Sequence, residues 1–225
     1  MGARRRGRLH VDGRRADWLR DGALDGRPLL ILAHGAGAGC ESAPLEDAAQ
    51  QLVARGLAVA RFQFPYMQAA RDSGRRRPPD RAAVLLATWS AMLAAARRWR
   101  GVERLVLGGR SMGGRMASLL AAEGGNQDIH ALVCLSYPFH PAGKPCHLRT
   151  RHLADLSLPS MIVQGERDRL GNRAEVEGYY LSSAIKMHWC QDGDHDLTPR
   201  KRSGYSQGGN WDVAMDAVAS FLAPL

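Results

Sequence analysis

No stretch of this 225-residue sequence approaches the roughly 20 consecutive apolar residues that a bilayer-spanning helix needs. Met1–Arg8 is basic but no apolar run follows it, so a secretory signal is not expected. Arg6 stands where an N-myristoylation pattern beginning at Gly2 would need Ser or Thr. A cytoplasmic protein without a membrane partner is the expectation. Cysteine is scarce: Cys40, Cys134, Cys146 and Cys190 form no C-x-x-C pair and no zinc-finger spacing, which argues against a zinc site. They read as free thiols, with Cys134 inside an apolar run and hence in the core. Aromatic residues make up only 6%, and none are interleaved with the arginine clusters in the manner of a nucleic-acid stacking platform. Lysine is nearly absent. The net charge of +9 is therefore carried by arginine in an alanine-rich chain. That pattern reads as composition bias and not as a nucleic-acid partner. Internal repeats and linkers are missing too.

What is present is ordinary for a soluble globular protein: 45% hydrophobic and 24% charged residues. The length suits one domain over residues 1–225, with 1–27 as an N-terminal edge segment. Apolar strand-like runs alternate with helical patterns. Strands are expected at Pro28–Ala33, Leu57–Phe62, Glu103–Gly108, His130–Ser136, Ser160–Gln164 and Ile185–Cys190, with Gly7–Asp12 as an edge strand. Helices are expected at Pro44–Arg55, Asp80–Arg100 (Asp80 as N-cap, Gly101 as stop), Met112–Glu123 (ended by Gly124 and Gly125), Glu175–Leu181 and Trp211–Leu222. Pro65–Pro79 and Tyr137–Pro159 read as irregular. The alternation predicts an α/β fold: three layers, a mostly parallel central sheet with helices on both faces, and no large cap domain.

Gly109-Arg110-Ser111-Met112-Gly113 lies between a strand and a helix and matches G-x-S-x-G. A serine on so sharp a turn takes up strained backbone angles, and side chains two residues either side would collide. Gly109 and Gly113 have none, and Gly114 lets helix and strand approach. The hydroxyl then stands near a helix N-terminus that favours negative charge. A phosphate-binding loop is the competing reading, but G-x-x-x-x-G-K-[ST] is absent. In His34–Cys40 the last position of G-x-G-x-x-G is Cys40.

Acyl transfer from such a serine needs two backbone N–H donors for the oxyanion. Met112, directly after the serine, is one candidate, and Ala36, in the glycine-rich loop after the first core strand, is the other. His34 precedes the serine, whereas the chain order for this elbow is serine, acid, histidine, so His34 reads as a residue that shapes its loop. His195, in Asp192-Gly193-Asp194-His195-Asp196, is the expected base. Asp168, after the strand Ser160–Gln164, is the expected acid that holds the histidine tautomer, with Glu166 as competitor. Asp194 and Asp196 are expected to cap or solvate the loop. The four residues Asp192, Asp194, His195 and Asp196 could grip a cation, but no distant ligands complete a set, so neither metal nor cofactor is expected. Arg110, Phe64, Tyr66 and Tyr137, with Pro138 and Lys144, are expected to line a pocket for a small-molecule acyl substrate. Arg110 has a second reading as an ion pair locking the elbow.

The segments LAHGAGAG, FQFPY, GGRSMGGRMAS, YPFHPAGKP, QGERDRLG and DGDHDLTPRKRSG resemble the α/β-hydrolase superfamily. More narrowly, they resemble the small KANL/Tex-type hydrolase-like group, relatives of dienelactone-hydrolase-like enzymes. The resemblance runs from about Pro28 to the C-terminus. It implies the α/β-hydrolase fold with Ser111 as nucleophile, Asp168 as acid and His195 as base. Dienelactone hydrolase uses a cysteine nucleophile, and serine stands here, so lactone chemistry of that kind is not implied. The function expected is ester or thioester hydrolysis through an acyl-enzyme. A non-catalytic interaction module using the basic surface is the alternative, since some relatives serve as scaffold domains.

Overall fold

The computed structural model describes residues 4–124 and 128–225. The stop expected at Gly125 lies outside them, as does Gly2. Eight strands form one sheet among the described residues: β1 (Arg5–Val11), β2 (Arg14–Asp21), β3 (Leu29–Ala33), β4 (Ala58–Phe62), β5 (Leu105–Arg110), β6 (Ile129–Leu135), β7 (Ser160–Gly165) and β8 (Ile185–Cys190). Their spatial order is β1-β2-β4-β3-β5-β6-β7-β8. β1 and β2 form an antiparallel hairpin, and β2 runs antiparallel to β4. Every pairing from β4 to β8 is parallel. The helices are α1 (Ala43–Ala54), α2 (Pro65–Ser73), α3 (Ala82–Ala96), α4 (Met112–Ala122), α5 (Arg151–Ala154), α6 (Arg173–Val176) and α7 (Gln207–Leu222). None is long and apolar enough to cross a membrane.

The central strand β3 is apolar at every position because both faces are covered. In β3, Leu29, Ile31 and Ala33 enter one core, with Trp89 and Met92 of α3 and Met116 and Ala117 of α4. Leu30 and Leu32 enter the other, with Leu45, Ala48, Ala49 and Leu52 of α1 and Ala214, Met215 and Val218 of α7. The period of two sends alternate side chains to opposite layers. Each fully buried leucine contributes roughly 1.5–3 kcal/mol on the transfer scale.

Several elements differ from the sequence expectation. β2 is an additional strand between β1 and β4; it carries no clear sequence signal, because only Ala16 and Leu19 of it are buried and the alternation that marks a half-buried strand is missing. Helix α2 occupies the first half of the segment read as irregular. Pro65 sits in its first turn, where the absent N–H costs nothing. The stretch Tyr137–Pro159 holds one helical turn, α5. α3 starts at Ala82, after an N-cap position held by Arg81. Asp80 instead accepts the Tyr66 N–H (2.9 Å) and a bidentate pair from Arg14 (2.8 and 3.1 Å), tying the start of α2 to the β1–β2 hairpin. α6 is a single turn beginning at Arg173, set by a capping box between Asn172 and Glu175.

The strand order reverses at β3: β4 lies to one side of it and β5 to the other. A crevice at the carboxyl ends of the strands forms at such a switch point. The loops after β3 and β5 both open there, and these carry His34–Gly39 and Ser111.

Candidate active site

Ser111 follows β5 directly and precedes α4, with φ +52° and ψ −117°. That backbone region is disfavoured for a residue with a Cβ, by about 1–3 kcal/mol. The turn holds because nothing fills the space around it. A Cβ on Gly109 would lie 2.6 Å from Gly113 and Gly114 backbone, and one on Gly113 would lie 2.4 Å from the Ala33 carbonyl. Gly114 has the same constraint against the Gly109 carbonyl, at 2.6 Å. Helix α4 can therefore start against β3 and β5 with no intervening side chain. The Ser111 N–H extends the β5–β6 ladder to the Leu135 carbonyl at 2.8 Å.

His195 is carried by the loop after β8, and Asp168 by the loop after β7. In its Nδ1–H tautomer, His195 donates to Asp168 Oδ2 at 2.7 Å. Its Nε2 is 3.0 Å from Ser111 Oγ, which donates to it. Asp168 is fully buried, and its second oxygen accepts the Leu170 N–H at 2.8 Å. Gln164, at the end of β7, donates its amide to Asp168 Oδ2 (2.9 Å) and to the Tyr137 and Gly171 carbonyls (3.2 and 3.0 Å). Sequence reasoning missed Gln164. A polar residue in a buried strand, four before the acid, was the available signal. It also missed Gly165, where a Cβ would lie 2.3 Å from the Asp194 carbonyl. Only glycine lets the end of β7 touch the histidine loop.

Glu166 faces elsewhere, accepting the Asp192 N–H at 2.9 Å and pairing with Arg173 at 3.0 Å. Asp192 pairs with Arg200 and Arg167, and hydrogen bonding from Arg200 pulls its pKa down to about 2. Asp194 Oδ1 accepts the N–H groups of Asp196 and Thr198 at 2.8 and 3.0 Å, shaping the turn that presents His195.

His34 is buried beneath the glycine-rich loop. Nδ1 donates to the Gly35 carbonyl at 2.7 Å, and Nε2 accepts the Phe64 N–H at 3.0 Å. Burial pushes its pKa down to about 4, so it is a neutral structural group at neutral pH. A Cβ on Gly35 would be 3.7 Å from that of Ser111, so the loop runs alongside the serine. Ala36 is exposed on this loop, and Met112 stands at the first position of α4, where an N–H has no intrahelical acceptor.

The expected pocket lining is corrected at three positions. Phe64, Tyr66 and Tyr137 are at most 1% exposed and belong to the core. Phe64 packs edge-on against His34 at 4.9 Å. Tyr66 donates its hydroxyl to the Ala36 carbonyl at 3.0 Å, holding the loop from below. Tyr137 donates to the Arg149 carbonyl at 3.0 Å. Arg110 follows the second of its two readings: it pairs with Asp196 and reaches the His195 carbonyl at 3.5 Å, bracing the histidine loop against the elbow.

A serine hydroxyl on a histidine nitrogen, whose other nitrogen is fixed by a buried carboxylate, is the arrangement that activates an oxygen nucleophile. The family model for the alpha/beta hydrolase domain matches residues 26–223. The chain belongs to that family. Solved structures similar to this hydrolase domain include Est1E from Butyrivibrio proteoclasticus, at 16% identity and TM-score 0.72, covering 97% of this chain and 98% of that one. A dienelactone hydrolase from Anabaena variabilis is similar at 16% identity and TM-score 0.76, covering 99% and 97%. An esterase from an Arctic intertidal metagenomic library is similar at 19% identity and TM-score 0.68, covering 97% and 94%. At these identities the likeness is one of fold.

Proposed function

We propose that this hydrolase domain is a serine hydrolase that cleaves an ester or thioester of a small acyl substrate through a covalent acyl-enzyme. The observation that carries the reading is the unbroken hydrogen-bonded chain from Asp168 through His195 to Ser111. Ser111 Oγ attacks the acyl carbon while His195 Nε2 takes its proton, and the N–H groups of Met112 and Ala36 hold the oxyanion. The imidazolium returns that proton to the departing alcohol or thiol. Water, deprotonated by His195, then attacks the acyl-serine and releases the acid. Asp168 fixes the tautomer and stabilises the imidazolium throughout. The narrower likeness to the KANL/Tex-type group rests on the sequence motifs. A cytoplasmic setting fits four cysteines that are all unpaired, Cys146 exposed and the other three buried.

One observation favours the interaction-module reading. Trp18 and Trp99 lie 4.5 Å apart with Arg20 over the Trp99 ring, beside Arg5, Arg98 and Arg100, so the fold gathers aromatic and basic groups from β1, β2 and the segment after α3. A fluorophosphonate probe separates the two. The hydrolase reading expects a covalent adduct on Ser111 that disappears in Ser111→Ala and falls about 10³-fold in rate in His195→Ala, the scale of a general base. A folded protein that the probe never labels supports the module.

A further inference from the structure

We infer that Arg115 and Arg149 form a subsite for a carboxylate carried by the acyl substrate, beside Ser111; the inference rests on the serine hydrolase reading. Ser111, Arg115 and Ser118 fall at i, i+4 and i+7, one stripe of α4 that begins at the serine. Arg115 stands one turn after Ser111, its N–H donating to the Ser111 carbonyl at 3.0 Å. The other end of the stripe is closed by the segment leading into α5. Ser118 Oγ is 2.8 Å from His152 Nε2, and the Tyr137 hydroxyl bridges Ser118, His152 and the Arg149 carbonyl. The Arg149 N–H donates to the Phe139 carbonyl at 2.7 Å, which fixes its backbone at the same place.

Arg115 thus stands at the place where the backbone of Arg149 and the ring of His152 are held. Burial first and the Arg115 charge second lower the Arg149 pKa, and the same two causes push His152 down to about 4. His152 is therefore neutral at pH 7 and adds no third positive charge. No carboxylate among the described residues pairs with Arg115 or Arg149, although Asp pairs with most other part-buried arginines, including Arg14, Arg15, Arg55 and Arg110. The Arg115 Nε–H is buried with no acceptor among the described residues. An unpartnered guanidinium N–H in a desolvated position is costly, and a bound anion would satisfy it. A planar carboxylate matches the guanidinium fork. The substrate class is then a monoester or thioester of a short dicarboxylic acid, its free carboxylate towards α5 and its reactive carbonyl at Ser111.

The test compares 4-nitrophenyl butyrate with mono-4-nitrophenyl glutarate, and measures glutarate binding by calorimetry. The wild type is expected to show a kcat/KM ratio, glutarate ester over butyrate, of at least about 10, a scale set by one charge-assisted pair. The ratio falls at least about tenfold in Arg115→Gln and in Arg149→Gln, and less in Arg115→Lys, which keeps the charge but not the fork. Arg98→Gln removes the same charge near the amino end of β5, away from Ser111, and keeps the wild-type ratio. Ser111→Ala still binds glutarate, and Arg115→Gln binds it at least tenfold more weakly. A wild-type ratio near one, or an equal fall in Arg98→Gln, overturns the subsite; the wild-type ratio needs no variant to fold. Glutarate binding without hydrolysis of either ester would count against the hydrolase reading and leave the subsite standing.

Discussion

At the scale of single residues, the site depends on side chains that never touch a substrate. Tyr66 is one: its buried hydroxyl holds the Ala36 carbonyl at 3.0 Å and reaches the Gly35 carbonyl at 3.4 Å, and the Gly35 carbonyl lies opposite the Ala36 N–H in one trans peptide. Burial also pushes the Tyr66 pKa up, so the group remains a donor across the working pH range. In Tyr66→Phe this tether is lost. We expect kcat to fall about tenfold, within the range for weakening one oxyanion donor, while the melting temperature changes little. Steady-state kinetics beside thermal melting checks this, and an unchanged kcat would remove Tyr66 from the account. The sequence made Ser111, His195 and Asp168 legible because elbow, chain order and strand ends each constrain them. It could not tell whether the rings of Phe64, Tyr66 and Tyr137 enter the pocket or the core. Phe64 and Tyr137 follow strand ends and Tyr66 opens α2, and the direction of a ring at such a place is decided by packing from other layers.

At the scale of elements, the parallel strands and their long helices were legible because each is apolar on a recognisable period. The elements that were missed lack that period. β2 buries only Ala16 and Leu19, α2 buries only Pro65, Tyr66 and Gln68, and α5 is one turn. β2 is joined to α1 by charge. Arg61, fully buried on β4, donates to Asp21 of β2 at 2.8 Å and to Glu46 of α1 at 2.5 Å. Burial alone would raise the Glu46 pKa, but Arg4 and Arg61 outweigh it and hold the carboxylate down at about 2. Nothing in the run Ala58–Phe62 marks Arg61 as this joint. Arg61→Ala is expected to cost about 3–5 kcal/mol, because it empties a fully buried position and leaves two part-buried carboxylates with Arg4 as their one shared cation. Urea denaturation reads this directly, and a cost under 1 kcal/mol would mean that solvent already screens the cluster.

At the scale of the whole molecule, acid should loosen the fold in two separate windows. His34 and His152 both have folded pKa values lowered to about 4 by burial, against about 6.5 when unfolded. A lowered folded value means that the unfolded chain binds the proton first. The stability from neutral burial is complete above about pH 6.5 and is lost as the pH falls towards 4. For fully buried His34 the loss approaches about 3 kcal/mol, from 1.36 kcal/mol per pKa unit. Glu46 acts lower down: its pairing is intact above about pH 4.5 and disappears as the pH falls towards 2. Urea midpoints measured from pH 7.5 to 4.5 should decline in the wild type and decline less in His34→Gln. Equal slopes would contradict the assignment of His34 as a buried neutral group.

The proposed acylation of Ser111 is where residue, element and fold meet, because the strained turn, the histidine loop after β8 and the buried carboxylate after β7 converge on one oxygen. Its most direct test is to mix the protein with excess 4-nitrophenyl acetate, quench within one turnover, and map the added mass by peptide mass spectrometry. The account predicts one acetyl group, carried by Ser111 and missing in His195→Ala. An acetyl group on any other residue, or a release of nitrophenol that proceeds equally well in Ser111→Ala, would contradict it.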